Sequence, residues 1–214
     1  MSDIIDRRAL LTAACGSVWV STLASARATE QEHWLNEPAV WSRSGAVLTM
    51  RAEAKTDFWR KTYFGYVTDN GHLVSRPVTG DFQATVNVAG AFVSQYDQAG
   101  LMVRLDSTCW MKCGVEYVDG VQNVSSVFTR DFSDWAGVPR ETAAESMWFR
   151  LARKGSALTF SFSADGETYR EVRQGHLTAA RTVQVGVMAA APEGAGFTAI
   201  FRDLAVLPAT PRRG

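Results

Sequence analysis

This chain of 214 residues lacks the features that mark several classes of protein. Its 22 Lys and Arg residues are matched by 22 Asp and Glu residues, so it has no basic excess with which to meet nucleic-acid phosphates. No apolar run of the ~18 residues that a membrane helix needs follows residue 28. Only Cys109 and Cys113 lie beyond that point, without the further Cys or His ligands of a zinc site. We therefore predict no nucleic-acid partner, no bound metal and no cofactor.

The first 28 residues predict an export signal. Arg7 and Arg8 stand directly before a moderately apolar stretch that ends at Ala26-Arg27-Ala28, a typical cleavage site. Paired arginines in this position are typical of twin-arginine export, and an ordinary secretory signal is the alternative. We predict a signal over residues 1–28, a domain over 29–207 and a tail over 208–214. The expected location is periplasmic or secreted, with no membrane contact once the signal is cleaved.

The remaining sequence alternates apolar and polar residues in short runs, which are separated by Gly, Asn-Gly and Asp-Gly turns. A period of two residues is typical of half-buried strands, and no stretch of normal helix length shows the helical period. Six of the seven tryptophans lie beyond residue 28, and aromatic residues favour strands. The pattern predicts one all-β domain in which two antiparallel sheets form a sandwich.

Two turns predict the register of three successive strands. Asp119-Gly120 is a strong two-residue hairpin signal, and a three-residue loop over 106–108 connects the preceding pair. The two alignments are independent, and they agree on which residues share a face. One face is apolar and is predicted to pack in the core. The other face carries polar side chains and an indole: Gln98, Met102, Arg104, Trp110, Lys112, Glu116, Asn123, Ser125 and Thr129.

This polar face is the candidate ligand-binding surface. An aromatic ring can cover the apolar C–H face of a sugar while hydrogen-bonding side chains bind its hydroxyls. Neighbouring loops are expected to rim the face. The predicted carbohydrate site consists of Trp110, Arg104, Lys112, Glu116, Gln98, Asn123, Trp59, His72 and Tyr96. The alternative is a solvated sheet face with cross-strand ion pairs such as Lys112 with Glu116.

Seven segments of the chain resemble a known family. They stand in the order Asn36-Glu37-Pro38 with Trp41, Thr56-Asp57-Phe58-Trp59, Asp69-Asn70-Gly71-His72, Gly80-Asp81-Phe82, Tyr96-Asp97-Gln98-Ala99-Gly100-Leu101-Met102, Trp110-Met111-Lys112-Cys113-Gly114-Val115-Glu116 and Ser133-Asp134-Trp135. From about Trp34 to Val206 the chain is similar to the regulation of enolase protein 1-like family, a domain-of-unknown-function family in the concanavalin A-like lectin/glucanase superfamily. The resemblance implies a jelly-roll sandwich with the polar face on its concave sheet.

Three functions are compatible with these features. We favour an exported, non-catalytic domain that binds carbohydrate through the concave sheet face. The first alternative is a glycoside-active enzyme that uses Glu116 as one carboxylate. Glucanases of this superfamily usually carry two carboxylates on one strand, ~5 Å apart for retention, whereas this strand offers Glu116 alone, which Lys112 is expected to keep ionised. The second alternative is a protein-interaction domain without a small ligand. We predict no catalytic residues.

Overall fold

The computed structural model describes residues 31–209. In this part of the chain the regular structure consists of sixteen strands, and no helix forms. The strands are β1 (His33–Leu35), β2 (Trp41–Ser44), β3 (Val47–Ala52), β4 (Phe58–Arg60), β5 (Val67–Asp69), β6 (His72–Thr79), β7 (Phe82–Gly90), β8 (Gln98–Arg104), β9 (Cys109–Val118), β10 (Val121–Arg130), β11 (Phe132–Pro139), β12 (Ser146–Lys154), β13 (Ala157–Ser163), β14 (Arg170–His176), β15 (Thr182–Ala190) and β16 (Phe197–Pro208).

Two seven-stranded antiparallel sheets form a sandwich. The first, called the site sheet below, has the strand order β1-β6-β15-β8-β9-β10-β11. The second, called the back sheet, has the order β14-β13-β12-β7-β16-β3-β2. Strands β4 and β5 form a separate hairpin. The predicted all-β, antiparallel two-sheet jelly-roll sandwich is confirmed.

Both predicted registers are also confirmed. Strand β9 pairs with β10 so that Glu116 lies opposite Asn123, and it pairs with β8 so that Gln98 lies opposite Glu116. The β9–β10 turn contains Asp119 and Gly120, whose φ angles are 51° and 83°, as a two-residue turn of type I′ requires. Because side chains alternate along a strand, the correct register also assigns each residue to the correct face.

Apolar clusters lie on both faces of the site sheet. The main core fills the space between the two sheets and includes Leu101, Met111 and Val115 from the site sheet and Phe149 and Phe160 from the back sheet. The second cluster lies on the opposite face of the site sheet, where the β4–β5 hairpin covers it. This cluster consists of Phe58, Trp59, Leu73, Met102, Trp110, Val127, Met188 and Ala190. Two residues of the predicted polar face, Met102 and Trp110, therefore belong to an apolar layer.

The predicted signal over residues 1–28 lies outside the described part of the chain. Within residues 31–209, no helix is long and apolar enough to cross a membrane. No group of three or more His, Cys, Asp or Glu side chains in that range is arranged to hold a metal ion. Cys109 and Cys113 are both free thiols.

Candidate ligand-binding site

A cavity of about 490 Å³ opens on the face of the site sheet that points away from the main core. Pockets of ~300–1,000 Å³ are usual for small-molecule ligands. Aromatic side chains form its walls, and polar or charged side chains form its floor. The lining consists of Asp57, Trp59, Thr62, Tyr63, Phe64, Tyr66, Tyr96, Gln98, Lys112, Glu116, Val118, Ser133, Asp134 and Trp135. These residues come from β4 and the segments on either side of it, from β8 and the turn before it, and from strands β9 and β11.

Lys112 is a fixed charge at the centre of the floor. Its Nζ donates to Gln98 Oε1 at 2.5 Å and to the backbone carbonyl of Phe58 at 2.7 Å, and it lies 3.4 Å from Asp57 Oδ1. The residue is only 5% exposed, and a buried ammonium group is costly unless it is paired and hydrogen-bonded. Its three protons meet three acceptors here. Its ion-pair partner is Asp57, which comes from the covering hairpin.

Asp57 connects the floor to the aromatic wall. Its Oδ1 also accepts hydrogen bonds from the Phe58 backbone N–H at 2.7 Å and from Gln98 Nε2 at 3.2 Å. Burial, followed by the negative charge of Asp57, raises the pKa of Tyr66 to about 12. The Tyr66 phenol therefore stays protonated and is hydrogen-bonded to the Asp57 carboxylate.

Glu116 occupies the floor beside Lys112 and meets the opposite wall. The indole Nε1 of Trp135 donates to Glu116 Oε2 at 2.5 Å, and Ser125 also hydrogen-bonds this carboxyl group. Burial raises the pKa of Glu116 above its ordinary value, although Lys112 and the two hydrogen bonds oppose that shift. Lys112 lowers this pKa as expected, but the loss of water is the larger cause, so the net shift is upward.

A pair of glycines lets Lys112 lie along the sheet. Gly100 and Gly114 are opposite one another in β8 and β9, on the same face as Lys112 and Gln98. A Cβ on Gly100 would lie 1.9 Å from the backbone oxygen of Cys113, and one on Gly114 would lie 2.1 Å from that of Ala99. No side chain can therefore stand between Lys112 and Gln98, so the two groups meet.

Gly137 positions the indole of Trp135 in the same way. A Cβ at Gly137 would lie 2.5 Å from the six-membered ring of Trp135, so the indole rests directly on this glycine. In that position Nε1 reaches Glu116, while the residue stays 41% exposed at the cavity wall. Trp135 is thus both an exposed ring and the hydrogen-bond partner of a buried carboxyl group.

The loop between β4 and β5 forms the other wall from aromatic rings that solvent reaches. Tyr63 is 93% exposed, and Phe64 and Tyr66 are 44% and 43% exposed. The Phe64 ring stacks on Tyr66 at a centroid distance of 5.6 Å and meets Trp59 edge-on at 5.8 Å. An exposed cluster of large rings at a cavity is typical of an interaction site.

This aromatic loop is held in one shape. Its backbone is closed by hydrogen bonds from Lys61 N–H to Tyr66 O and from Gly65 N–H to Lys61 O, each 2.7 Å long. Lys61 and Tyr63 adopt positive φ angles of 59° and 62°, a strained conformation that clusters at functional sites. Arg60 and Lys61 form ion pairs with Asp131 at 2.8 and 2.6 Å. The wall is therefore preorganised.

The structure brings together part of the predicted site. Five of the nine predicted residues line the cavity: Gln98, Lys112, Glu116, Trp59 and Tyr96. The other four do not line it. Trp110 is 0% exposed, because Phe58 packs edge-on against it at 6.2 Å. The prediction that Trp110 stacks on a ligand is therefore wrong.

Arg104, His72 and Asn123 are also absent from the cavity lining. Arg104 makes a bidentate ion pair with Asp69 at 2.8 and 2.7 Å. The ring of His72 donates from Nδ1 to the Asn36 carbonyl at 2.6 Å and accepts the Glu53 N–H at 3.1 Å. Asn123 donates to the Val121 carbonyl at 3.0 Å. These contacts hold the hairpin, the N-terminal strand and a turn in place.

The wall residues Tyr63, Phe64, Tyr66 and Trp135 are absent from the predicted site, as is Asp57. Alternation along the central strands does not predict these residues. They come from a distant loop and from an edge strand whose register no turn in the sequence predicts. The signal that was present is the aromatic segment Tyr63-Phe64-Gly65-Tyr66, since three rings around a glycine in a loop are unlike a solvated turn. Trp135 was part of one segment that resembles the family, but the sequence did not assign it to a strand or to a face of the sheet.

The fold and the cavity define a β-sandwich with a ligand-sized site on one sheet. The same fold is found in a carbohydrate binding module, CBM66, from Bacillus subtilis, with a TM-score of 0.52 and 11% identity over 81% of this chain and 94% of that one. It is also found in a GH43 protein, a BlXynB mutant from Bacillus licheniformis, with a TM-score of 0.68 and 16% identity over 83% of this chain and 37% of that one.

Proteins with higher sequence identity to this chain establish its family. Residues 34–209 match the family described as protein of unknown function DUF1349, and the chain belongs to this family. It is 37% identical to "Regulation of enolase protein 1" of Saccharomyces cerevisiae over 174 residues, which are 81% of this chain and 87% of that protein. A solved structure of a functionally unknown protein from S. cerevisiae superposes with a TM-score of 0.81 and 34% identity, covering 84% of this chain and 97% of that chain. The predicted family is confirmed.

These relatives correct the predicted location. The protein at 37% identity belongs to a yeast, whereas twin-arginine signals direct export in bacteria. The prediction of a periplasmic or secreted location through twin-arginine export is therefore wrong. An arginine pair before an apolar stretch is too short a pattern to establish export, and residues 1–28 lie outside the described part of the chain.

Proposed function

We propose that this protein binds a neutral carbohydrate in the aromatic-lined cavity of the site sheet. The observation that carries the proposal is the pairing of exposed rings with a floor of oriented polar groups. Trp135, Phe64 and Tyr66 offer aromatic surface to the C–H face of a sugar. The carboxyl groups of Asp57 and Glu116 offer hydrogen-bonding oxygens for its hydroxyls. A sugar presents both kinds of surface within one ring.

The charges of the floor favour a neutral ligand. Lys112 is already satisfied by Asp57, Gln98 and the Phe58 carbonyl, so it offers no free proton to an anion. Burial favours the neutral form of Glu116, which weakens attraction for a cation. Hydroxyl groups can accept from a neutral carboxyl group or donate to a charged one, so they suit this floor in either state.

The solved structures with this fold guide the choice of sugars. They include a carbohydrate binding module and a xylan β-1,4-xylosidase from Bacillus halodurans. At 11% and 15% identity these likenesses show the fold alone. Xylo-oligosaccharides are therefore the first ligands to test rather than an assigned substrate.

The proposal is tested with the full chain on a glycan array, followed by calorimetric titration of the sugars that bind. We expect Trp135→Ala to weaken binding about 5–30-fold, which corresponds to ~1–2 kcal/mol. Trp41→Ala is the matched control, because Trp41 is equally exposed at 41% but lies on β2 of the back sheet. An array without binding, together with a stable protein partner in a pull-down, would instead support a protein-interaction domain.

A glycoside-active enzyme is the second candidate, and one observation favours it. The cavity lining holds two further carboxyl groups, Asp57 and Asp134, besides Glu116. The raised pKa of Glu116 suits a general acid. Glycosidases use one protonated and one ionised carboxyl group. The test is turnover of aryl glycosides by the full chain and by Glu116→Gln. Turnover that Glu116→Gln abolishes without loss of binding supports an enzyme, whereas binding without turnover in either protein supports a binding domain.

A further inference from the structure

A second cavity of about 470 Å³ adjoins the first. The two share four lining residues, Asp57, Phe64, Tyr66 and Tyr96. The remaining lining of the second cavity includes Lys55, just before β4, and Glu193, just after β15. We call it the side cavity and the first one the main cavity.

The two cavities follow one another across the strands of the site sheet. Neighbouring strands in this part of the sheet are β15, β8, β9, β10 and β11. Glu193 follows β15, Gln98 begins β8, Glu116 lies on β9, and Trp135 lies on β11. The lining residues therefore trace one path across the strands, from the side cavity through the main cavity to the edge strand, with Trp135 level with Lys112 rather than with Glu116.

A crest of aromatic rings separates the cavities along this path. Phe64 stacks on Tyr66 and meets Tyr96 edge-on at a centroid distance of 6.2 Å. Phe64 and Tyr66 are each nearly half exposed, so these rings line both cavities and still face solvent. Rings in this position can contact two consecutive units of a ligand that crosses them.

The side cavity carries polar groups suited to hydroxyls. Lys55 and Glu193 are exposed and of opposite charge, so together they add no net charge to this end of the path. Glu193 is also close enough to help raise the pKa of Tyr66. The side cavity thus repeats the features of the main one, an aromatic surface beside hydrogen-bonding groups, without a fully buried floor.

From this geometry we propose that the ligand is a linear, neutral oligosaccharide that spans both cavities. One unit lies in the main cavity above Lys112 and Glu116, and a following unit lies in the side cavity between Lys55 and Glu193. The chain crosses the crest of Phe64, Tyr66 and Tyr96. This inference rests on the proposed carbohydrate-binding function and specifies its ligand as an extended chain rather than a monosaccharide.

The experiment uses the full chain and a glycan array with mono- to hexasaccharides of xylose, arabinose, glucose, mannose, galactose and fructose. Affinities of the sugars that bind are then measured by calorimetry. We expect affinity to rise about tenfold from the monosaccharide to the trisaccharide, since tenfold corresponds to ~1.4 kcal/mol. The double variant Lys55→Ala with Glu193→Ala should remove most of that gain and leave monosaccharide binding unchanged.

Exposed charges at the end of β12 and in the loop between β13 and β14 provide the matched control. Lys154→Ala with Glu167→Ala removes one lysine and one glutamate, both exposed and remote from either cavity lining. This variant should bind every length as the native chain does. Equal affinity for mono- and trisaccharides, or no effect of the Lys55 and Glu193 changes, would overturn the extended ligand and leave carbohydrate binding intact. No binding at any length would overturn both.

Discussion

The outward face of the site sheet has two ends that differ in environment although they share the same strands. At one end, Trp110 and Met102 are sealed beneath Phe58 and form part of an apolar layer. At the other end, Gln98 and Glu116 form the floor of the cavity. Trp110 and Glu116 point to the same side of β9 and lie only ~20 Å apart along it. Their different environments come from the β4–β5 hairpin, which covers one end only.

This difference shows that absence from the main core and contact with a ligand are separate properties of a side chain. Alternation in a sequence does not distinguish them. A position on the outward face shows only that a side chain is absent from the main core. Whether it meets a ligand depends on what covers the face, and here the cover comes from residues 58–69, about thirty positions before β8. A tryptophan on a polar face can therefore be structural, as Trp110 is.

The strongest test of this contrast is Trp110→Ala. We expect the free energy of unfolding to fall by ~3–5 kcal/mol, the usual cost of removing a fully buried tryptophan, as measured by chemical denaturation. Sugar affinity of the remaining folded protein should stay close to native. Unchanged stability with lost affinity would show that Trp110, not the loop, contacts the ligand.

The next largest effect is expected from Tyr66→Ala at the open end. Removing this ring should weaken sugar binding about 5–30-fold, or ~1–2 kcal/mol, because it takes away one of the three rings of the crest and the phenol that is hydrogen-bonded to Asp57. The residue is 43% exposed, so the unfolding free energy should change little. Tyr66→Phe, which keeps the ring, should retain most of the affinity; an equal loss in both variants would mean that the hydroxyl alone matters.

A smaller effect is expected from Gly137→Ala. The added Cβ would meet the Trp135 ring at 2.5 Å, so the indole must leave its position over Glu116 while the sheet stays intact. We expect about a fivefold loss of affinity, close to 1 kcal/mol. In a Trp135→Ala background the same substitution should have no further effect on affinity. Additive losses would show that Gly137 acts by another route.

The smallest expected effect is a pH-dependent change in thermal stability on substituting Glu116→Gln. Folding raises the pKa of Glu116, so the native state binds the proton more tightly and stability falls as pH rises from the ordinary value of 4.5 through the raised one. Glutamine can still accept from Trp135 without a charge. Its Tm should exceed the native one by ~1–3 °C at about pH 8 and match it at about pH 4. A difference that is the same at both pH values would argue against a burial cost, and exposed Glu167→Gln provides the control.

Local patterns accounted for the fold and for the floor of the site. The Asp119-Gly120 turn and the loop over 106–108 determine register within neighbouring strands, so they correctly place Gln98, Lys112 and Glu116 together. They contain no information about segments that reach the sheet from elsewhere. The sealing of Trp110 by Phe58 and the arrival of Tyr66 and Asp57 depend on long-range packing, which alternation cannot show. The ion pair of Lys112 with Asp57 is a long-range contact of the same kind.

Asp131 connects the two walls of the cavity. It lies between β10 and β11, and it pairs with Arg60 and Lys61 at the base of the aromatic loop, while Trp135 stands four positions further along its own strand. One carboxylate thus ties the two opposing walls into a single unit. For the proposed carbohydrate ligand we therefore expect one-step association kinetics, because binding requires no rearrangement of the rings.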